Sequence, residues 1–470
     1  MKKQIKKICC IGAGYVGGPS MAIIADKCPH ISINVVDKNK QRIDQWNNKN
    51  LDELPIYEPG LKNIIKKCRN KNLFFSNKIE ENLRESDMVF ISVNTPTKTK
   101  GIGAGQAIDL KWIESCARQI GEFAKGHTIV VEKSTLPVRT AQTIKTILEA
   151  YTAKEKKEKL RSRSFSILSN PEFLAEGTAI YDLQNPDRIL IGGDDNYAIN
   201  ALSDIYLNWV AKDKILKTDL WSSELSKLIA NAFLAQRISS INSVSALCEV
   251  SGAKINNVAK AVGMDRRIGK DFLNAGPGFG GSCFKKDILN LIYICNHYGL
   301  NEVADYWQKV LDINYWQQKR ITKVIIDNLF GTISEKKIAI LGFAFKPNTN
   351  DTRESPGIAI CNDLLEEGCY LSIYDPKVEK SQIQSEFSKF SGNSFNKSWN
   401  MAGSVYEAVR EVDAIIFLTE WEEFSNLNYE IISEAMNIPK WIFDTRNIVD
   451  YKKIKDYGFK LWKLGEGISS

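Results

Sequence analysis

Histidine is scarce in this chain: its 470 residues include three, His30, His127 and His297. The ten cysteines form no C-x-x-C pair. The Cys/His sets of structural zinc are therefore missing, no metal site is expected, and a disulfide scaffold would be unusual at this length. Acid–base chemistry must run on Lys, Asp, Glu or water, and the cysteine usage points to a reducing, cytoplasmic setting. No window of about 18 apolar residues occurs, so no membrane-spanning helix is expected. Lysines precede a short apolar run at the N-terminus, as in a signal peptide. That run leads at once into Gly12, Gly14 and Gly17, which reads as a strand and a turn. The net charge of +7 is spread along the whole length. No basic segment is interleaved with aromatics, which argues against nucleic acid as a partner. The densest run, Lys154 to Arg163, reads as a solvated loop or helix face.

What is present begins with glycine. An apolar strand over residues 5–11 runs into Gly12-Ala13-Gly14-Tyr15-Val16-Gly17, then a helical stretch to Lys27, then a second strand ending at Asp37. This is a complete dinucleotide-binding fingerprint. Gly12 permits the tight turn, Gly14 admits a pyrophosphate to the backbone, and Gly17 lets helix and strand pack closely. Asp37 suits the adenosine ribose hydroxyls and repels a 2′-phosphate, which favours NAD over NADP; Arg42 lies nearby. Strand and helix patterns continue to alternate. Three strands open at their carboxyl ends into polar loops: Val93-Asn94-Thr95-Pro96-Thr97, Glu132-Lys133-Ser134-Thr135, and Asn170-Pro171-Glu172-Phe173-Leu174-Ala175-Glu176-Gly177. In the last, Asn170 is positioned to cap a helix with Pro171 at its first position, placing Glu172 and Glu176 on one face.

From Trp221 to Val250 the pattern is one long helix, with Lys227 and Asn231 four residues apart. After Thr332 the first pattern recurs. Lys337–Leu341 runs into Gly342, a helix covers Gly357–Glu367, and a further strand leads to Asp375. Asp413–Thr419 mirrors Asp87–Val93. The second turn lacks G-x-G-x-x-G, so it cannot cradle a pyrophosphate in the same way, but Lys346 and Arg353 near it suit another phosphate-bearing ligand. The expected fold is α/β: two Rossmann-like doubly wound domains joined by a long central helix and a helical middle domain, with boundaries at 1–215, 216–330 and 331–470.

Four of the five residues Gly276 to Gly280 are Gly or Pro, and Ser282 follows as a helix cap. Cys283 then falls in the first turn, beside unpaired N–H groups and the positive end of the helix dipole. Asp287 follows one turn later. A buried structural cysteine is the plain alternative. An NAD site gives the nucleophile a purpose, because an aldehyde has no good hydride to lose until a thiolate adds to it. The resulting thiohemiacetal oxidises to a thioester, and water releases a carboxylate. One cofactor site and one cysteine thus carry a primary alcohol to an acid in two oxidations.

These motifs, with Lys227-Leu228-Ile229-Ala230-Asn231-Ala232-Phe233 and Gly278-Phe279-Gly280-Gly281-Ser282-Cys283, occur in an order that closely resembles the UDP-glucose/GDP-mannose dehydrogenase family, animal-type UDP-glucose 6-dehydrogenases in particular. The resemblance runs from about residue 5 to 465. It implies oxidation of UDP-glucose to UDP-glucuronate with two NAD per turnover. It makes Cys283 the nucleophile and gives Lys227 and Asn231 the oxyanion. Asp287 with Lys227 would move the alcohol proton, and Glu172 with Thr135 would handle the hydrolytic water. Around the cofactor it places Gly12 to Gly17, Asp37, Arg42, Val93 to Thr97, Ser134, Glu176, Lys286 and Arg353. Around the UDP-sugar it places Glu172, Phe173, Leu174, Ala175, Glu176, Lys227, Asn231, Asn274, Phe279, Gly280, Phe345, Lys346 and Arg446. Arg267 would reach a neighbouring subunit of a dimer-based, sometimes hexameric, homo-oligomer. Asn274 departs from the lysine usual in the animal type, and residues 48–53 and 154–163 read as longer surface loops. The alternatives are a UDP-N-acetylmannosamine or GDP-mannose dehydrogenase, a two-electron alcohol dehydrogenase, and a non-catalytic homologue. The Asn274–Gly280 pocket would separate the first, Cys283 argues against the second, and the complete set of catalytic residues against the third.

Overall fold

A computed structural model of the chain describes residues 4–135, 137, 139–157, 163–391 and 398–469. It divides into two compact units, Met1–Ala230 and Asn231–Ser470. The first is built on eight strands: β1 Lys7–Ile11, β2 Ser32–Val36, β3 Leu73–Ser76, β4 Met88–Ile91, β5 His127–Glu132, β6 Ser164–Ser169, β7 Ile189–Gly193 and β8 Ile215–Thr218. Their order is β3-β2-β1-β4-β5-β6-β7-β8, parallel throughout except for β6 against β7. Helices cover both faces, which is why β1 and β4 read as unbroken apolar runs: Ile8, Cys9, Cys10, Val89, Phe90 and Ile91 are fully buried. The order reverses between β1 and β4, so a crevice opens at their carboxyl ends, where sheets of this kind bind ligands.

The second unit starts with helices Ile255–Gly263, Phe284–His297 and Asn301–Asn328 and continues into a seven-stranded sheet. Its strands are β9 Lys337–Leu341, β10 Tyr370–Tyr374, β11 Trp399–Met401, β12 Ala414–Phe417, β13 Lys440–Asp444, β14 Phe459–Lys463 and β15 Gly467–Ser469. They lie in the order β11-β10-β9-β12-β13-β14-β15, with only β15 antiparallel. The long helix Leu220–Ser251, free of Gly and Pro over 32 residues, starts in the first unit and ends in the second.

The recurrence seen in the sequence is atomic in its detail. Asp87 accepts the N–H of Lys7 (3.1 Å) at the foot of β1, as Asp413 accepts that of Lys337 (2.9 Å) at the foot of β9. At the heads of the strands, Gly12 has φ +112° and a Cβ there would stand 2.2 Å from the Ser92 carbonyl oxygen. Gly342 has φ +93° and its Cβ would meet Thr419 at 2.4 Å. Both turns thus require glycine for the same reason.

One expected helix is absent. Residues 170–175 are irregular, and the next helix is Ala179–Gln184. Asn170 does not cap: its Nδ2 donates to the Leu190 carbonyl (2.8 Å), and its Oδ1 accepts from Lys133 and Tyr206. The Glu172 carboxylate accepts the N–H groups of Phe173 and Leu174 (2.9 and 3.2 Å), so a local side-chain turn takes the donors a helix would have used. Glu172 and Glu176 therefore share no helical face. The basic run 154–163 opens in the last turn of the helix Thr140–Lys157, but its residues 158–162 lie outside the described residues.

Candidate active site

In the first unit the fingerprint folds as its spacing demands. Gly17 opens the helix Gly17–Lys27 with its Cα so close to Gly12 that a Cβ would stand 2.0 Å from the Gly12 carbonyl oxygen. A Cβ on Gly14, by contrast, would meet nothing within 4 Å among the described residues. That open edge beside a helix start fits a pyrophosphate. Asp37, buried at the end of β2, accepts the Ala13 N–H (3.0 Å), the Asn39 N–H (2.9 Å) and Arg42 (3.2 Å). The Val93–Thr97 loop is tied to the next strand's loop: Ser134 Oγ donates to the Val93 carbonyl (2.8 Å) and Thr95 Oγ1 to that of Thr135 (3.2 Å). Tyr15 packs on the apolar core, and Val16 occupies the helix cap position. A dinucleotide therefore fits the residues present.

The carboxyl end of β5 holds a cluster of buried polar groups with no signature in the sequence. Lys133, 2% exposed, places Nζ 2.9 Å from Glu172 Oε2. The same ammonium donates to Asn170 Oδ1 (3.1 Å) and the Tyr206 hydroxyl (3.2 Å). Burial alone would raise the Glu172 pKa, but Lys133 and the Phe173 N–H outweigh it and hold the carboxylate below its ordinary range. Burial likewise opposes the charge on Lys133, and Glu172 with Tyr206 holds its pKa above the usual lysine value. Phe173 gathers two more cations, with Arg188 at 3.9 Å and Lys227 Nζ at 5.1 Å from its ring centre. Ala175 N–H donates to Asp182 and Gly177 N–H to Glu58. Glu172, Phe173 and buried Lys227 are thus brought together; Leu174 packs partly against the core.

Beside Lys133 lies a pair of buried acids. Glu224 accepts the N–H groups of Arg139 and Ala141, each at 2.7 Å. Burial, with Glu224 adding to it, pushes the Glu132 carboxyl well above the ordinary range. A proton kept on Glu132 would have Glu224 as its acceptor, and burial raises the Glu224 pKa as well. An acid that keeps its proton when folded costs stability as pH climbs past about 4.3, where the unfolded side chain ionises. Glu132→Gln retains a donor and has no proton to lose. We expect its melting temperature to equal or exceed that of the parent at pH 8 and its stability to fall less between pH 5 and 8. Glu132→Ala should lose about 1–3 kcal/mol through the unmet bond. Parallel pH-dependent slopes for the parent and the Gln variant would exclude the shared proton.

The second unit carries the cysteine. Cys283 itself occupies the cap position of the helix Phe284–His297, so it precedes the first turn and Ser282 does not cap it. The reason lies one residue back: Gly281, at φ +81°, donates its N–H to the Arg353 carbonyl (2.9 Å), which delays the helix start. Ser282 Oγ instead lies 3.6 Å from the cysteine sulfur. Cys283 is exposed, while the other nine cysteines, all described, are buried. One turn on, Asp287 is fully buried, with Oδ2 accepting from Asn231 Nδ2 at 2.6 Å. Its Oδ1 has no hydrogen-bond donor among the described residues, and Lys286 Nζ stands 3.4 Å away.

The glycine loop before Cys283 packs against the turn after β9. A Cβ on Gly280 would stand 2.5 Å from the Glu354 carbonyl oxygen and 2.9 Å from Phe345 Cβ. Asn314 clamps Phe279 from both sides, accepting its N–H (2.8 Å) and donating to its carbonyl (3.2 Å). Arg446 reaches the carbonyls of Leu418 (2.8 Å) and Phe345 (3.3 Å), and Lys346 Nζ lies 5.5 Å from the Phe345 ring centre. Arg353 is forked onto Asp351 at 2.6–3.1 Å. Phe279, Gly280, Phe345, Lys346, Arg353 and Arg446 thus converge near Cys283, Asn231 and Asp287. Asn274 is exposed, and Arg267 lies on an exposed turn, paired with Asp265. The C-terminal turn is no second dinucleotide site. Asp375 is already met by the N–H groups of Phe343, Ala344, Lys377 and Val378 and by Trp421 Nε1, leaving no lone pair for a ribose. No metal-ligating group of side chains occurs among the described residues, and no described helix is long and apolar enough to cross a membrane.

Comparison with known proteins places this geometry. Residues 6–210 match the NAD binding domain of the UDP-glucose/GDP-mannose dehydrogenase family, 221–316 its central domain and 339–451 its UDP binding domain. The chain is 55% identical to the UDP-glucose 6-dehydrogenase of Drosophila melanogaster over 468 residues, 98% of this chain and 96% of that one. It is 52% identical to UDP-glucose 6-dehydrogenase 1 of Arabidopsis thaliana, covering 99% and 98% of the two chains. The UDP-glucose dehydrogenase structure of the archaeon Pyrobaculum islandicum superposes with a TM-score of 0.82 at 29% identity, covering 100% of this chain and 99% of that one. The chain belongs to the UDP-glucose/GDP-mannose dehydrogenase family.

Proposed function

We propose that the chain oxidises the C6 alcohol of UDP-glucose to the carboxylate of UDP-glucuronate in two hydride transfers and one hydrolysis. Full-length identity above 50% to UDP-glucose 6-dehydrogenases supports the substrate. The carrying observation within the molecule is the one exposed cysteine, set at the end of a glycine loop that packs on Phe345 and next to the Asn231–Asp287 pair. NAD, when bound, takes up the hydride in each oxidation.

The chain's own groups do the rest. Asp287 Oδ1, buried, 3.4 Å from Lys286 Nζ and with no hydrogen-bond donor among the described residues, receives the alcohol proton together with Lys227. Cys283 adds through sulfur to the aldehyde carbon, and the carbonyl oxygen takes the charge, held by Asn231 and Lys227. Oxidation leaves the acyl group on sulfur as a thioester. Glu172, kept ionised by Lys133, takes a proton from water, with Thr135 in the same network. The water oxygen bonds to the acyl carbon, the C–S bond breaks, and the thiolate returns. The glycine loop with Phe345, Lys346 and Arg446 holds the sugar nucleotide. Arg42, Ser134, Glu176, Lys286 and Arg353 complete the cofactor contacts. We assign the three domains to 1–215, 216–330 and 331–470. A homo-oligomer that brings Arg267 to a neighbouring site and a cytoplasmic location, favoured by ten unpaired cysteines, complete the proposal.

Counting NADH formed per UDP-glucose consumed tests the scheme. The expected ratio is two. A ratio of one would mean arrest at the aldehyde, and no NADH with this sugar nucleotide would remove the proposed substrate.

A further inference from the structure

At the rim of the ribose site stands an aromatic ring with no assigned purpose. Trp112 lies in the first turn of the helix Lys111–Phe123 and is 36% exposed. The ammonium of Lys38, the residue directly after Asp37, sits 3.2 Å from its ring centre, and Lys111 Nζ is 5.2 Å away. The helix faces the end of β2. Cys116, one turn beyond Trp112, has its thiol pushed up to about 12 chiefly by burial, with Lys38 opposing that shift and Asp37 adding to it. Val93 and Leu110, half-buried, pack on the cluster that holds Val36, Ile113 and Cys116. An indole face therefore stands against the residue that follows the ribose-binding carboxylate, on a helix whose buried side packs with Val36, Val93 and Leu110, and the group covering it is the ammonium of an exposed lysine.

We propose that Trp112 is the stacking wall for the adenine of the dinucleotide, and that Lys38 closes this slot until the base displaces its ammonium. An indole face takes a cation or a purine ring by the same electron-rich surface, and a purine also gains by shedding apolar area. The inference rests on the NAD reading of the first unit and adds to it the residues that grip the base.

The test uses the full-length enzyme and ADP-ribose, which carries the adenosine half and lacks the nicotinamide. Titration calorimetry should show Trp112→Ala weakening ADP-ribose by about 5- to 150-fold, the range expected for loss of one base–aromatic stack. The KM for NAD should rise in step while kcat stays within about twofold, as for a contact equal in ground and transition states. Trp112→Phe should recover most of the affinity. Lys38→Ala, a surface change that leaves the fold alone, should strengthen ADP-ribose by about 2- to 5-fold, the worth of an exposed cation–π contact. Parent enzyme that binds NAD while both alanine variants match it in ADP-ribose affinity overturns the slot and leaves the NAD reading intact. Parent enzyme that binds no NAD overturns both.

Discussion

Replacing Cys283 with serine is expected to stop steady-state formation of UDP-glucuronate, by about 1,000-fold or more, while NAD affinity stays at the parent value. The magnitude is that of removing a covalent nucleophile. The physical ground is local. A serine hydroxyl attacks only if a base takes its proton, and the partner of the sulfur among the described residues is a hydroxyl, Ser282 Oγ at 3.6 Å, while Asp287 is assigned to the substrate alcohol. The nucleotide turn belongs to the other unit, so its glycines and Asp37 are untouched. The variant should yield at most one NADH per sugar, read by absorbance in a single-turnover experiment beside a binding titration with NAD. UDP-glucuronate made at the normal rate by the serine enzyme would falsify the covalent route.

Lys133→Met should produce the largest change in stability. It leaves Glu172 with the Ser20 hydroxyl, two backbone N–H groups and the weaker pull of Lys227 in place of its ion-pair partner, in a site where the lysine side chain is 2% exposed. Breaking a buried pair from one side costs about 3–5 kcal/mol. Glu172, whose folded pKa is now below the ordinary range, stabilises the parent at pH values above about 4.3 and loses that contribution as pH falls through the folded value. In the methionine variant burial meets only the Phe173 N–H and Lys227, so the Glu172 pKa should rise from its parent value and the loss of stability should be larger at pH 8 than at pH 5. Replacing both partners, Lys133→Met with Glu172→Gln, should recover most of the loss, because no charge is then stranded. Denaturant titrations of the parent, single and double variants at pH 5 and pH 8 decide the matter. A single variant within 1 kcal/mol of the parent would show that the pair is not what holds Glu172 in place.

Much of the architecture was legible because its signals are local. A buried parallel strand shows as an apolar run, and the turn after it demands glycine where a carbonyl passes within reach of any Cβ, as Ser92 does at Gly12. The paired halves were legible for the same reason, since Asp87 and Asp413 do identical work at the feet of β1 and β9. The misread helix at Asn170 shows the limit. Asn-Pro-Glu has the composition of a helix start, but Lys133, 37 residues earlier, and Tyr206, 36 later, recruit Asn170 Oδ1 to a polar cluster. Local capping preference cannot register partners so distant in sequence. The same distance hid the Glu132–Glu224 pair. The one available hint was a Glu-Lys dipeptide closing the buried apolar run Ile129–Val131, where two charges must find buried company. The helix starts one residue later than the local signals predict because the bond from Gly281 runs to Arg353, 72 residues on in the same unit.

The burial of nine cysteines around one exposed one makes this enzyme its own titration standard. A thiol reagent applied to the folded protein finds one address per chain, so the equivalents consumed count competent centres rather than total protein. The same selectivity turns against the molecule under oxidants. Damage should start at Cys283, the proposed nucleophile, pass first through a sulfenic acid that reductant can reverse, and only later become permanent. Lost activity should therefore precede any sign of unfolding, and a stored preparation ages from its chemistry inward.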